Sequence, residues 1–387
     1  MVSEATNIEL QISILLATAL IGYFIARRFG QSVVIGEMLI GIVVGPSLLG
    51  WVSYTPFVQS TATLGAIVLL FVIGLETKFK DIFTLNSFLI ALGGVIVPWI
   101  AGYYTALFFG YSAPEAVFVG TALTATSIAI TAHVLKELGK LDSQAAKVII
   151  GAAVVDDVLG LLALSMTIGF AEQGVDWGIV GIIAAKAFVF LGAGVIVGVY
   201  FLAKELEKLN KWAEKNNAKN MTFIAAIALA FGYAVAAELV GLSGIVGAFI
   251  AGVSFESVKI RSYREGAEYL EVIFAAIFFV SLGILVDVGA AATAGAFLIV
   301  LSILAVLSKL AGCFVPAKLL GLSNKDSAII GVGMVPRGEV AMIAALIGLN
   351  AKIIGAEVYS AILLMSLLTT IATPVLIKRL YTMKIAG

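Results

Sequence analysis

Two adjacent carboxylates, Asp156 and Asp157, stand in the middle of the apolar stretch GAAVVDDVLG. One carboxylate at the centre of a membrane helix costs about 2.5–3.5 kcal/mol, so two of them require a polar cavity or partners. Acids kept in such a place suit a site that holds either a cation or protons. Successive residues of an α-helix point about 100° apart, so the two acids are expected to have different neighbours and different tasks. Lys309, also inside an apolar run, is the natural partner for one of them. An ammonium in lipid is expensive alone and much cheaper beside a carboxylate.

Hydroxyls and breaks supply the second element of the chemistry. The segment TALTATSIAITA carries Thr121, Thr124, Thr126, Ser127 and Thr131 in one apolar stretch. Such side chains satisfy backbone groups freed where a membrane helix is interrupted, and they are hard oxygen ligands for an alkali cation. A weak internal similarity at an offset of about 210 residues places Thr126 opposite Pro336 in GMVPRGEVA. Both stretches therefore predict an interrupted helix, and two such helices crossing at mid-membrane would aim partial charges of about half an elementary charge at the site. Arg337 and Glu339 flank Gly338, too close along the chain to face each other, and are expected to pair elsewhere, with Glu37 and Glu76 as candidates by depth. His133, the single histidine, reads as an interfacial residue, although a pH-sensing role is conceivable. The single Cys313 excludes an internal disulfide and a cysteine metal cluster.

The elements that must position these residues follow from composition. Of 387 residues 61% are apolar and 12% charged, against roughly 45–50% and 25% in soluble domains, so lipid must cover most of the hydrophobic surface. The 40 glycines suit close helix packing in membranes. Zero net charge excludes a basic nucleic-acid face. The first apolar run follows Glu4 and Glu9 rather than a basic segment, which predicts a retained span and no cleaved signal. Apolar stretches predict about thirteen spans, near 9–27, 33–50, 61–77, 87–109, 116–136, 145–170, 178–203, 220–239, 242–256, 267–286, 292–314, 326–349 and 357–377. Twenty basic residues then fall in alternate loops or the C-terminal tail, and Lys352 alone falls on the other side. That bias predicts an external N-terminus and a cytoplasmic C-terminus. The lysine-rich segment 204–219 is expected to anchor the seventh span at the anionic inner leaflet.

The same offset relates Ile35-Gly36 and Gly41 to Val246-Gly247 and Gly252, and Phe71 to Gly74 to Phe279 to Gly283. An offset of seven spans is odd, so corresponding helices must run in opposite directions. The expected fold is an all-α membrane protein of two inverted six-helix repeats with a linking helix, the arrangement of secondary transporters with mid-membrane sites.

Taken together, GEMLIGIVVGPSLLG at 36–50, FVIGLE at 71–76, TATS at 124–127, Asp156-Asp157, Lys309 and GMVPRGEVA at 333–341 resemble the monovalent cation:proton antiporter superfamily. The similarity runs over essentially the whole chain, and the branch is that of NapA-type sodium/proton antiporters and Kef-type potassium efflux proteins. The resemblance implies a core transport domain at 87–170 and 288–387 and a dimerisation domain at 1–86 and 220–287, with a linking helix and cytoplasmic loop at 171–219. It makes Asp157 the principal sodium- and proton-binding carboxylate, with Asp156 secondary and paired with Lys309. An Asp-Asp pair resembles the electrogenic members, and the short C-terminus is expected to lack the nucleotide-binding domain of Kef proteins.

The implied activity is exchange of sodium, or of lithium or potassium, for protons by a homodimer in the cell membrane, without enzyme chemistry, cofactor, nucleotide or nucleic acid. A potassium/proton antiporter is the alternative within the family. A sodium-coupled organic-anion symporter and an ion channel are rivals from other classes. The symporter has no evident need of Lys309 opposite an acid pair, and a channel calls for rings of repeated ligands that are not seen here.

Overall fold

A computed structural model describes residues 8–78, 84–171, 177–218, 220–256, 258, 261–286, 288–337 and 339–382. In chain order the helices are α1 (Ile8–Arg28), α2 (Val33–Val44), α3 (Pro56–Leu75), α4 (Leu85–Phe108), α5 (Ala113–Thr124), α6 (Ile128–Glu137), α7 (Gln144–Ala171) and α8 (Trp177–Val197). A π-helical turn (Gly198–Leu202) leads into α9 (Ala203–Lys215). Then come α10 (Asn220–Leu239), α11 (Gly244–Ser254), α12 (Arg261–Ile284), α13 (Val288–Leu319), α14 (Asn324–Gly333), α15 (Glu339–Asn350) and α16 (Ala356–Thr382). Among the described residues there is no β-strand.

Among the described residues ten apolar segments are long enough to cross a membrane, two of them comprising α5 with α6 and α8 with α9. The other three expected spans fall on shorter elements: α2 and α11, of 12 and 11 residues, and the pair α14 and α15. Twelve residues rise about 18 Å, well short of the roughly 30 Å hydrocarbon core. The protein is thus an all-helical, multi-pass membrane protein.

Local sequence explains where several helices begin. Thr55 accepts from the Val58 amide with Pro56 opening α3, and Thr84 accepts from Ser87 N at the start of α4. At the start of α5 the Ser112 N–H donates to Glu115 Oε2, and Ser323 caps α14 through the Asp326 amide. Each bond satisfies a donor that the first turn leaves without a helical partner.

The chain forms two compact units, Met1–Phe79 with Ile183–Leu285, and Lys80–Ile182 with Val286–Gly387. In the first, α2 packs on α12, and α3 packs on both α11 and α12. The seams are glycines: a Cβ on Gly283 would lie 2.9 Å from Gly41 Cα, and one on Gly252 would lie 2.8 Å from Gly74 Cα. These are the glycines that the internal similarity singles out, and they meet across helices where any side chain would force the backbones apart.

One expectation requires correction. The basic segment from 204, read as part of a cytoplasmic loop, is helical as far as Lys215. The helix of α8 continues through the π turn into α9, because Ala203, Leu206 and Ala213 recur at helical spacing and are buried while the lysines and glutamates face outward. Exposed i,i+3 and i,i+4 pairs, Lys208 with Glu205 and Lys211 with Glu207, line that outer face. Of the loop residues read for orientation, Lys80, Lys219, Lys259 and Lys384 lie outside the described residues.

In the second unit α4 packs against α5, α7 and α13, while α13 also meets α14 and α16. Every described partner in the candidate site belongs to this unit.

Candidate functional site: two helix breaks and a buried ion pair

Both expected interruptions are present. The helix begun by α5 stops at Thr124, Ala125 turns to ψ 144°, and α6 resumes at Ile128. Its counterpart stops at Gly333 in α14 and resumes at Glu339 in α15, with residues 335–337 in neither helix. The two breaks are bonded to each other. Ser127 N–H donates to Pro336 O at 2.8 Å, Thr126 Oγ1 to Met334 O at 3.3 Å, and Thr131 Oγ1 to Gly333 O at 2.6 Å. The sequence folds this way because Pro336 has no amide to offer a preceding turn, and the hydroxyls of the first stretch replace donors that the second has lost.

Against this crossing lie three wholly buried charges. Lys309 Nζ, from α13, donates to Asp156 Oδ1 at 2.9 Å, to Gly94 O at 2.7 Å and to Thr124 O at 2.7 Å. Both partners of the ion pair are inaccessible, at 0% and 1% exposure. The third buried charge, Arg337, donates through Nη1 to Ala125 O at 2.7 Å and through Nη2 to Ala305 O at 3.1 Å. Its own carbonyl accepts from Thr370 Oγ1 at 3.1 Å. Asp156 Oδ2 and Arg337 Nε are buried without a hydrogen-bond partner among the described residues.

The adjacent acids do have different surroundings. Asp156 is buried in the ion pair, whereas Asp157 is only partly buried. The arrangement therefore sets a partly buried carboxylate beside one already paired with an ammonium.

Other expected residues are distributed as follows. Thr124 turns its hydroxyl back to Thr121 O at 2.8 Å, and Thr121 contacts Thr167 Oγ1 at 2.6 Å and the Trp99 indole at 3.3 Å. Arg337, expected in an intramembrane ion pair, instead has backbone carbonyls as its partners among the described residues. A planar guanidinium spans the two acceptors at once. Glu37 is buried in α2, and Glu76 is the exposed C-cap of α3, both in the first unit. The side chain of Glu339 lies outside the described residues. His133 is part of α6. Gly94 and Ala305 were not singled out in the sequence, since a carbonyl acceptor leaves no mark in residue type; nor was Thr370, which donates its hydroxyl to the Arg337 carbonyl.

Residues 15–382 match the family described as sodium/hydrogen exchanger, transmembrane. The chain is 34% identical over 371 residues to the Na(+)/H(+)-K(+) antiporter GerN of Bacillus cereus, covering 94% of each chain. It is 34% identical to the Na(+)/H(+) antiporter of Enterococcus hirae over 372 residues, covering 94% of this chain and 95% of that one. The sodium proton antiporter MjNhaP1 of Methanocaldococcus jannaschii, solved at pH 8, shares the fold, with a TM-score of 0.68 at 17% identity, covering 96% and 98% of the two chains. By its match over nearly the whole length and by these relatives, the chain belongs to the transmembrane sodium/hydrogen exchanger family.

Proposed function

We propose that this protein is a secondary sodium/proton antiporter, with Asp157 as the ion-binding carboxylate and the Asp156–Lys309 pair as the element that couples the two ions. The buried ion pair beside a partly accessible acid, at the crossing of two broken helices, carries the reading. Protons and sodium compete for Asp157, because a carboxylate in a partly desolvated site must be neutralised by one or the other. Sodium that also engages Asp156 takes it from Lys309, and an ammonium without its carboxylate is the costly form in an apolar surrounding. Lys309 then gives up a proton, and one sodium ion exchanges for two protons. Arg337 remains charged throughout and holds the first break closed on α13.

The unit containing the breaks is read as the moving transport body. The other unit, with its glycine seams, is read as the scaffold through which a homodimer forms in the cell membrane. The basic loops support an external N-terminus. Sodium and protons are the cargo, and no resident cofactor, nucleotide or catalytic residue is invoked. Potassium is the second reading, favoured by the similarity to GerN, a Na(+)/H(+)-K(+) antiporter.

The test is transport by purified protein in liposomes, with each alkali cation in turn and the membrane potential clamped. Net charge movement makes the sodium/proton equilibrium respond to potential, by roughly 2.3 kcal/mol per charge for each 100 mV. Asp157→Asn is expected to yield folded protein without exchange. Normal exchange by that variant removes the site assignment, and an equilibrium indifferent to potential removes the proton-carrying role of Lys309.

A further inference from the structure

Lys309 spends all three of its N–H donors, on Asp156 Oδ1, Thr124 O and Gly94 O. Both carbonyls are ones that an unbroken helix would occupy. Thr124 closes α5 at the break, so no continuing turn donates to it. Gly94 lies in the middle of α4, where the ordinary donor to its carbonyl is the amide of the fourth residue onward. That residue is Pro98, inside the helix and without an N–H. The acceptor that proline leaves open is the one the ammonium takes.

We infer that Pro98 is a positioning residue for ion exchange: by withholding an amide it dedicates the Gly94 carbonyl to Lys309, and so sets how firmly the ammonium is held against Asp156. The absence of a side chain at Gly94 belongs to the same device. A Cβ there would lie 2.7 Å from Cys313 Sγ and 3.5 Å from Lys309 Cε and Nζ, so α13 approaches only because the position is glycine.

The same sequence, Leu-X-Gly-X-X-Val-Pro, occurs at Leu92–Pro98 in α4 and again at Leu310–Pro316 in α13. Pro316 likewise withholds an amide from Gly312, whose carbonyl faces Gly93 across the helix contact. Three residues before the glycine stands Ala91 in the first copy and Lys309 in the second. The opened carbonyl therefore occurs twice, and it is the α4 copy that receives a charge.

The inference rests on the reading that sodium takes Asp156 from Lys309. If the Gly94 carbonyl helps to retain the ammonium, supplying a competing amide loosens it and lets sodium in more easily. A proline that only bends α4 would act regardless of what stands at position 309.

Four full-length proteins in detergent separate these cases: unaltered, Pro98→Ala, Lys309→Met and the double variant. The thermal unfolding midpoint is followed against sodium chloride at constant ionic strength, and the half-saturating sodium concentration is read from each curve. Pro98→Ala is expected to lower that concentration about threefold to tenfold, the effect of weakening one charged hydrogen bond, and to leave it unchanged in the Lys309→Met background. Equal shifts in both backgrounds, or none in either, overturn the inference. If Lys309→Met by itself leaves the sodium dependence of the unaltered protein, the parent reading fails and the inference falls with it. Pro98→Gly restores the same amide on a more pliable backbone, and it carries the comparison if Pro98→Ala does not fold.

Discussion

At the first break the loose carbonyls of Thr124 and Ala125 accept from Lys309 and Arg337, whereas at the second those of Gly333, Met334 and Pro336 accept from Thr131, Thr126 and Ser127. The end of a half-helix carries a partial negative charge of about half a unit. On α5 that end is covered by two full positive charges, and on α14 by neutral donors. The two interruptions look alike in backbone outline and differ in what they cost to disturb. One is an ionic anchor, and the other is a hydrogen-bonded brace.

The largest effect that would sharpen this contrast is at Lys309. Lys309→Ala leaves Asp156 as a buried charge without its partner, a loss of about 3–5 kcal/mol. Thermal unfolding in detergent should show Asp156→Asn/Lys309→Ala to be less damaged than the sum of its single variants. Strictly additive losses would remove the energetic coupling between the two groups.

Next is Arg337→Met, which keeps length and removes both donors. Burying the Ala125 carbonyl at the break without its donor costs about 1–3 kcal/mol, and the Ala305 carbonyl, inside α13, loses a second donor; Arg337→Lys should recover part of the loss. An unfolding midpoint unchanged by Arg337→Met would mean that the first break does not depend on its cations.

A smaller change is expected at the braced break. Thr131→Val preserves shape but deletes the donor to Gly333 O, and interhelical bonds of this kind are worth about 0.6–1 kcal/mol in membranes. Transport should persist. If Thr131→Val proved as harmful as Arg337→Met, the distinction between anchor and brace would collapse.

The smallest effect lies away from both breaks, in the turn before α5. Tyr111 donates to Glu357 Oε1 at 3.1 Å and lies tilted against Phe297, with ring centroids 4.8 Å apart. Burial first, and then the Glu357 carboxylate, push its phenol up to about 12. Because the folded value is raised above the usual 10, the stabilisation is complete below pH 10 and is lost between pH 10 and about 12. Tyr111→Phe should flatten the stability profile in that window, and an unchanged profile would show that this contact contributes nothing.

Much of the site was legible in the chain because charge in an apolar run is a local signal with a high cost. Asp156, Asp157 and Lys309 stand out for that reason, as do the hydroxyl-rich stretch and Pro336 that mark the breaks. Glycine spacing in α2, α3, α11 and α12 was equally visible, since only small residues permit those approaches. The helical state of the basic segment was missed because lysines and glutamates on one face of α9 resemble a loop until the buried Ala203, Leu206 and Ala213 are set against a neighbour.

Sequence alone thus determined the membrane class, the positions of the buried charges and the sites of interruption, all properties of composition within a single helix. Tertiary structure decided that Arg337 has carbonyl partners and that Gly94 lends its oxygen to the ammonium. The reason is that every residue carries a carbonyl. Whether one is free to accept depends on a proline four residues later and on which helix lies alongside, and only the assembled fold brings those two conditions to the same place.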